Sequence, residues 1–159
     1  MNIYIRSQDC DLFKYLDDEQ CANLTAKTET VQLAANEFVF GMISDEDSAE
    51  AAGLQAGNSR SAECFVIVEQ GELELKTTSG RSIGNIFPGE IYGEEGFMDG
   101  KSKPLCLKAL QPCKLRLLAY KQVHEFVSLS ADNAARTHAA INDTLCLKII
   151  RITHRRNHA

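Results

Sequence analysis

No histidine precedes His124 in this 159-residue chain; the others are His138, His154 and His158. A metal site built on imidazoles is therefore excluded from everything before His124, whatever the fold there. No cysteine pair has CxxC spacing. Cys10, Cys21, Cys64, Cys106, Cys113 and Cys146 stand at wide, irregular intervals, which argues against metal, cluster or redox roles and for structural ones. Cys64, Cys106 and Cys113 lie in apolar runs, where a thiol acts as a small hydrophobe. No run of about 18 or more apolar residues exists, so no membrane span is expected. The opening MNIYIRSQDCDLF carries acids and lacks a long apolar stretch, so no secretory signal is expected and free thiols in a reducing cytoplasm are. No GxSxG occurs and no cysteine has a neighbouring histidine in sequence, leaving nucleophilic catalysis unsupported. An enzyme is not expected.

Hydrophobic residues make up 44% of the chain and charged residues 25%, ordinary values for one globular domain spanning residues 1–159. The net charge is −5, so the surface as a whole does not favour nucleic acid. Leu12, Tyr15, Leu16, Cys21 and Leu24 fall at helical spacing over residues 8–26, with Asp17, Asp18 and Glu19 breaking the run. From Val31 the period shortens. Val31, Leu33, Phe38 and Phe40 predict short strands around Asn36-Glu37. Residues 43–63 are acidic, small and Gly-containing with no period. They predict a mobile excursion or a short helix over Ser48–Leu54. Strand signals follow at Cys64–Val68, Glu72–Lys76, Ser82–Ile86, Ile91-Tyr92, Pro104–Leu110 and Lys114–Ala119, divided by Gly and Pro turns. Many short strands so divided predict a sandwich, barrel or roll. After Tyr120 the helical period returns, with a short helix through Val123, Phe126 and Val127. A long helix follows, capped by Ser130 or Asp132.

The residues agree with a known pattern beyond this layout. Leu12-Phe13 to Leu16 followed by Leu24 resembles an LF..L first helix, and Ala35–Phe40 an xGExIF turn. Phe65–Leu75 resembles an FYVIxxGxVxV hairpin, and Pro88–Glu94 an xxGDxFGE segment. In this order and spacing, over about residues 10–155, the chain resembles the cyclic-nucleotide-binding domain family, in particular the amino-terminal sensory domain of catabolite-activator proteins. The resemblance implies a mainly β fold with flanking helices: a β-roll or jelly roll (double-stranded β-helix) over residues 31–119, helices over 8–30 and 120–155, and an insertion at 43–63. A metal cupin has similar strand content, but its inward histidines are missing here.

In that family the Gly-Glu opens a short helix whose backbone N–H groups meet a cyclic phosphate, and the Glu accepts the ribose 2′-OH. An Arg about nine residues on clamps the phosphate with its planar fork. The resemblance places a ligand, cyclic AMP or cyclic GMP, over Gly93, Glu94, Glu95, Gly96 and Phe97, with Lys103, Pro104 and Leu105 alongside. Lys103 stands where the Arg belongs and keeps the charge without bidentate geometry. Pro104 removes a backbone N–H, and Glu95 adds negative charge beside the phosphate path.

A DNA-binding regulator of this type would continue into a helix-turn-helix, which this chain is too short to hold, so nucleic acid is not the expected partner. Lys148, Arg151, Arg155 and Arg156 make the end basic and complement a helix dipole; an acidic partner or nucleic acid is the alternative. Ala134, His138, Ile141, Leu145, Lys148 and Ile152 recur at spacings of four and three, which predicts a homodimer through the long helix. The competing arrangement hides the same residues within a monomer. Two functions stay open: a ligand sensor that signals through this helix to a separate effector protein, and a ligand-free docking or dimerisation scaffold.

Overall fold

Period-two strands and glycine turns build the centre of the molecule. The computed structural model describes residues 4–39, 63–77, 79–100 and 105–158, with the side chains of Leu105 and of residues 149–158 outside the description. Its strands are β1 (Glu29–Leu33), β2 (Cys64–Gln70), β3 (Leu73–Thr77), β4 (Ser82–Ile86), β5 (Ile91–Tyr92), β6 (Leu105–Ala109) and β7 (Cys113–Ala119). Its α-helices are α1 (Asp18–Thr25), α2 (Glu94–Asp99), α3 (Tyr120–Ser128) and α4 (Ala131–His158). The chain divides into two compact units: Thr28–Ala119, and Met1–Lys27 with Tyr120–Ala159.

The first unit is the expected β-roll. One antiparallel sheet runs β1-β7-β2-β5, the other β4-β3-β6. Strand β7 lies between β1 and β2, pairing Val31 with Leu115 on one side and Val66 with Leu117 on the other. This pairing starts β1 at Glu29, two residues before the apolar pattern does. Alternation carries Val31, Val66, Val68, Leu73, Ile86, Leu107, Leu115 and Leu117 into one apolar core with Cys64 and Cys113. The outward faces hold charges: Glu69 pairs with Arg116 and, at 3.3 Å, with Lys114.

Several turns of the roll use left-handed backbone, those at Asn36 and Gly71 among them. Asn36 has φ 75° and its N–H donates to the Ala109 carbonyl at 2.7 Å. The family motif has Gly at this position, and Asn is the residue that best tolerates this conformation after Gly. Gly71, between β2 and β3, has φ +90°, and a Cβ there would sit 2.6 Å from both Cys113 Sγ and the Pro112 carbonyl oxygen. Phe40 and residues 43–62 of the expected insertion lie outside the described residues.

The second unit is helical. The expected helix over 8–26 resolves into 3-10 turns Ser7–Asp9 and Asp11–Phe13 and then α1. The division falls at Asp17, which caps α1. Its carboxylate accepts from the Gln20 N–H at 2.8 Å, while the Gln20 side chain accepts from the Asp17 N–H at 2.9 Å. Ser130 Oγ accepts from the Asn133 N–H at 3.0 Å and starts α4. Helix α4 packs on α3 and on the turn Asp11–Phe13, and Leu12, Phe13, Leu24, Val123, Ala140 and Ile141 are buried. The cysteine thiols are free, and five of them are buried; Cys146 is exposed. Among the described residues no helix is long and apolar enough to cross a membrane.

Gly71→Ala combines a strained φ with a backbone clash, so it is expected to cost about 2–4 kcal/mol. Urea unfolding checks this, since an unchanged midpoint would mean that the β2–β3 turn relaxes freely.

Candidate ligand-binding site

Strand β5 is only two residues long, and it buries Ile91 while pairing with β2. The chain then leaves the sheet at once. Gly93 makes this possible with φ 114°, a left-handed conformation that residues with a Cβ rarely adopt. The Phe97 N–H donates to the Gly93 carbonyl at 3.1 Å, which closes the first turn of α2. Gly100 ends the helix with φ 72°, its N–H donating to the Gly96 carbonyl at 3.0 Å.

This short helix sorts its side chains sharply. Glu94 is only 1% exposed, and Phe97 is buried against Phe65 of β2, with ring centroids 5.2 Å apart. Gly96 is buried as well, while Glu95, Met98 and Asp99 face outward. The Phe65–Phe97 contact ties α2 to the face of β2 opposite the roll core.

Tyr92, which the sequence reading did not single out, ends β5 next to Gly93 and packs part-buried against the roll core. Burial pushes its phenol up to about 12, and the carboxylates of Glu95 and then Glu94 push it further in the same direction. The phenol is thus a neutral hydrogen-bonding group at ordinary pH, set among acids. The signal for it was its place next to Gly93-Glu94, where the motif has Phe.

Of the expected ligand contacts, the structure brings Gly93, Glu94, Glu95, Gly96 and Phe97 together on α2, with Glu95 on the outer side. Lys103 and Pro104 lie outside the described residues, and Leu105 is placed only as the first residue of β6. Among the described residues no group of three or more His, Cys, Asp or Glu side chains is placed to hold a metal.

The family profile described as cyclic nucleotide-binding domain matches residues 54–130, which contain the β2–β3 hairpin, α2 and β7. Over this region the chain is similar to the cyclic nucleotide-binding domain family. Solved structures share the fold. A cyclic nucleotide-binding domain from Methylobacillus flagellatus matches with a TM-score of 0.69 at 12% identity, over 88% of this chain and 72% of that one. The amino-terminal domain of a transcriptional regulator from Streptomyces coelicolor gives 0.64 at 24% identity, over 87% and 90%. The regulatory domain of Toxoplasma gondii PKA, co-crystallised with cAMP, gives 0.57 at 18% identity, over 76% of this chain and 41% of that one. No curated sequence matches the chain. A cyclic-nucleotide-binding fold with a long carboxy-terminal helix is consistent with a regulatory module.

The Tyr92 phenol titrates above its ordinary 10.0 in the folded protein. Its protonated form therefore adds stability that is complete below about pH 10 and is lost as pH rises towards about 12. Tyr92→Phe removes that loss and is expected to raise the pH midpoint of alkaline unfolding, followed by circular dichroism. An unmoved midpoint would assign the alkaline limit to other groups.

Proposed function

We propose that the chain is a sensory module that binds a small anionic ligand of the cyclic-nucleotide class over Gly93–Phe97 and signals through α4. The observation that supports this most is Glu94. It is a carboxylate only 1% exposed, placed directly after a left-handed Gly93 at the start of α2. The family holds its ribose acceptor at that position. Tyr92 adds a neutral donor beside it, and Lys103 is the cation nearest in sequence to the place of the family's phosphate-clamping Arg. A structural neighbour named as a cyclic nucleotide-binding domain, and another co-crystallised with cAMP, support the same ligand class.

Composition favours the second reading, a ligand-free scaffold. From Gly93 to Leu105 the chain holds Glu94, Glu95 and Asp99 against Lys101 and Lys103, and no arginine, so the stretch keeps a small negative excess and lacks the bidentate cation that suits a phosphate. Calorimetric titration with cyclic AMP, cyclic GMP and cyclic dinucleotides separates the two. Binding is expected for a cyclic nucleotide, and Glu94→Ala is expected to weaken it roughly ten- to a hundredfold by removing a charged acceptor of the ribose hydroxyl. No heat with any of these ligands would leave the scaffold reading in place.

The oligomer proposed with this function is a homodimer through α4, with one correction to its seam. Ile141 is fully buried within its own chain, because the side of α4 that meets α3 and the Asp11–Phe13 turn is centred on Thr137, Ala140, Ile141 and Thr144. Ala134, His138, Leu145 and Lys148 stay part-exposed and remain the proposed contact surface; the side chain of Ile152 is outside the description. Leu145→Asp is expected to convert the dimer to a folded monomer by light scattering, while wild-type protein that is monomeric at high micromolar concentration would end the proposal.

A further inference from the structure

Over residues 131–148, the part of α4 whose side chains are described, few large apolar side chains are buried. The buried residues there are Thr137, Ala140, Ile141 and Thr144, of which Ile141 is the one large aliphatic side chain. Thr137 Oγ1 is buried with no hydrogen-bond partner, and Thr144 Oγ1 donates back to its own helix at Ile141 O, 2.9 Å away. Neither hydroxyl grips a neighbouring element.

Polar contacts along one edge make up for this. Tyr15 OH donates to Asp143 Oδ2, and Lys14 Nζ lies 2.8 Å from the same oxygen. Arg136 Nη1 donates to the Tyr15 carbonyl at 3.1 Å while its Nε meets Asp132 at 3.0 Å. Gln20 Nε2 donates to Asn133 Oδ1 at 2.7 Å and to Asp132 Oδ2 at 3.2 Å. These groups are partly exposed: Tyr15 by 45%, and the Lys14 and Asp143 side chains by 31% and 43%.

We infer that Lys14, Tyr15 and Asp143 form a reversible latch that sets how firmly α4 is held to the amino-terminal segment. With one large aliphatic side chain buried over residues 131–148, this part of the helix can lift, and solvent-exposed polar contacts shift that equilibrium by roughly tenfold rather than fixing it. Neutral pH does not work the latch. The hydrogen bonds from Lys14 and Tyr15 hold the Asp143 carboxyl below its ordinary range, and Asp143 in turn raises both Lys14 and Tyr15. The charged carboxylate is lost only in acid, and the protonated ammonium and phenol only in strong alkali. The latch opens instead when the charges are screened or when another group takes the carboxylate. It acts with or without a bound nucleotide, so its test uses the ligand-free protein.

Hydrogen exchange by mass spectrometry at neutral pH reads it out. In Asp143→Asn, peptides over residues 132–144 are expected to exchange roughly tenfold faster, with those over Cys64–Gln70 unchanged. Raising salt from about 0.05 to about 0.5 M is expected to speed α4 exchange in the wild type and not in Asp143→Asn. Equal α4 exchange in the two proteins, or acceleration that extends equally into Cys64–Gln70, would overturn the latch. If Asp143→Asn does not fold, Tyr15→Phe and the wild-type salt series decide. Faster α4 exchange in both supports the latch, and its absence in either overturns it.

Discussion

Strand β7 is the constraint on which the roll depends. It is paired on both edges, with β1 and with β2, and it brings Leu115 and Leu117 into the core beside Val31, Val66 and Val68. A slip of one residue would turn these leucines to the outside and Lys114 and Arg116 inward. The pairing of Glu69 with Lys114 and Arg116 on the outer face reinforces that register. Once β2 is fixed in this way, its other face presents Phe65, and Phe65 is what α2 packs against.

The site follows from that anchoring. Helix α2 is too short to be stable alone. It exists because Phe97 is buried on Phe65 and because Gly93 and Gly100, both left-handed, begin and end it. The same packing that holds Phe97 leaves Glu94 buried and Glu95 exposed, since residues three apart share a side of a helix and adjacent residues do not. Glu94, removed from solvent on α2, is the residue on which the proposed ribose contact rests. In the proposed pocket Lys103 stands in sequence where the family has its Arg, so the anion-binding half departs from the family pattern while Gly93-Glu94 keeps it.

The helical unit has a different balance of forces. There the first turns, α1 and α3 supply large apolar side chains, while among the described residues α4 buries small and hydroxyl residues and one isoleucine. Polar contacts at its edge therefore matter more than they would on a helix with a full apolar stripe. A long helix held in this way is suited to movement, which fits its proposed role as the output of a sensor.

The sequence by itself determined the roll. Strand positions were legible from alternation and from turns at Gly71, Gly80 and Gly89, because side-chain direction in a strand has a period of two and left-handed turns select glycine. The Gly93-Glu94 start of α2 was legible as a motif, and the lack of early histidine ruled out an imidazole metal site there. Tertiary structure alone decided the rest. The sequence reading took Ile141 as an outward seam residue; which side of α4 faces inward depends on the turn Asp11–Phe13 and on α3, which are distant in sequence. Tyr92 acquired its raised pKa from burial and from carboxylates placed by the fold. The contacts of Tyr15 and Lys14 with Asp143 join residues more than a hundred positions apart, and hydrophobic periodicity reports only which residues avoid water, not which partners meet them.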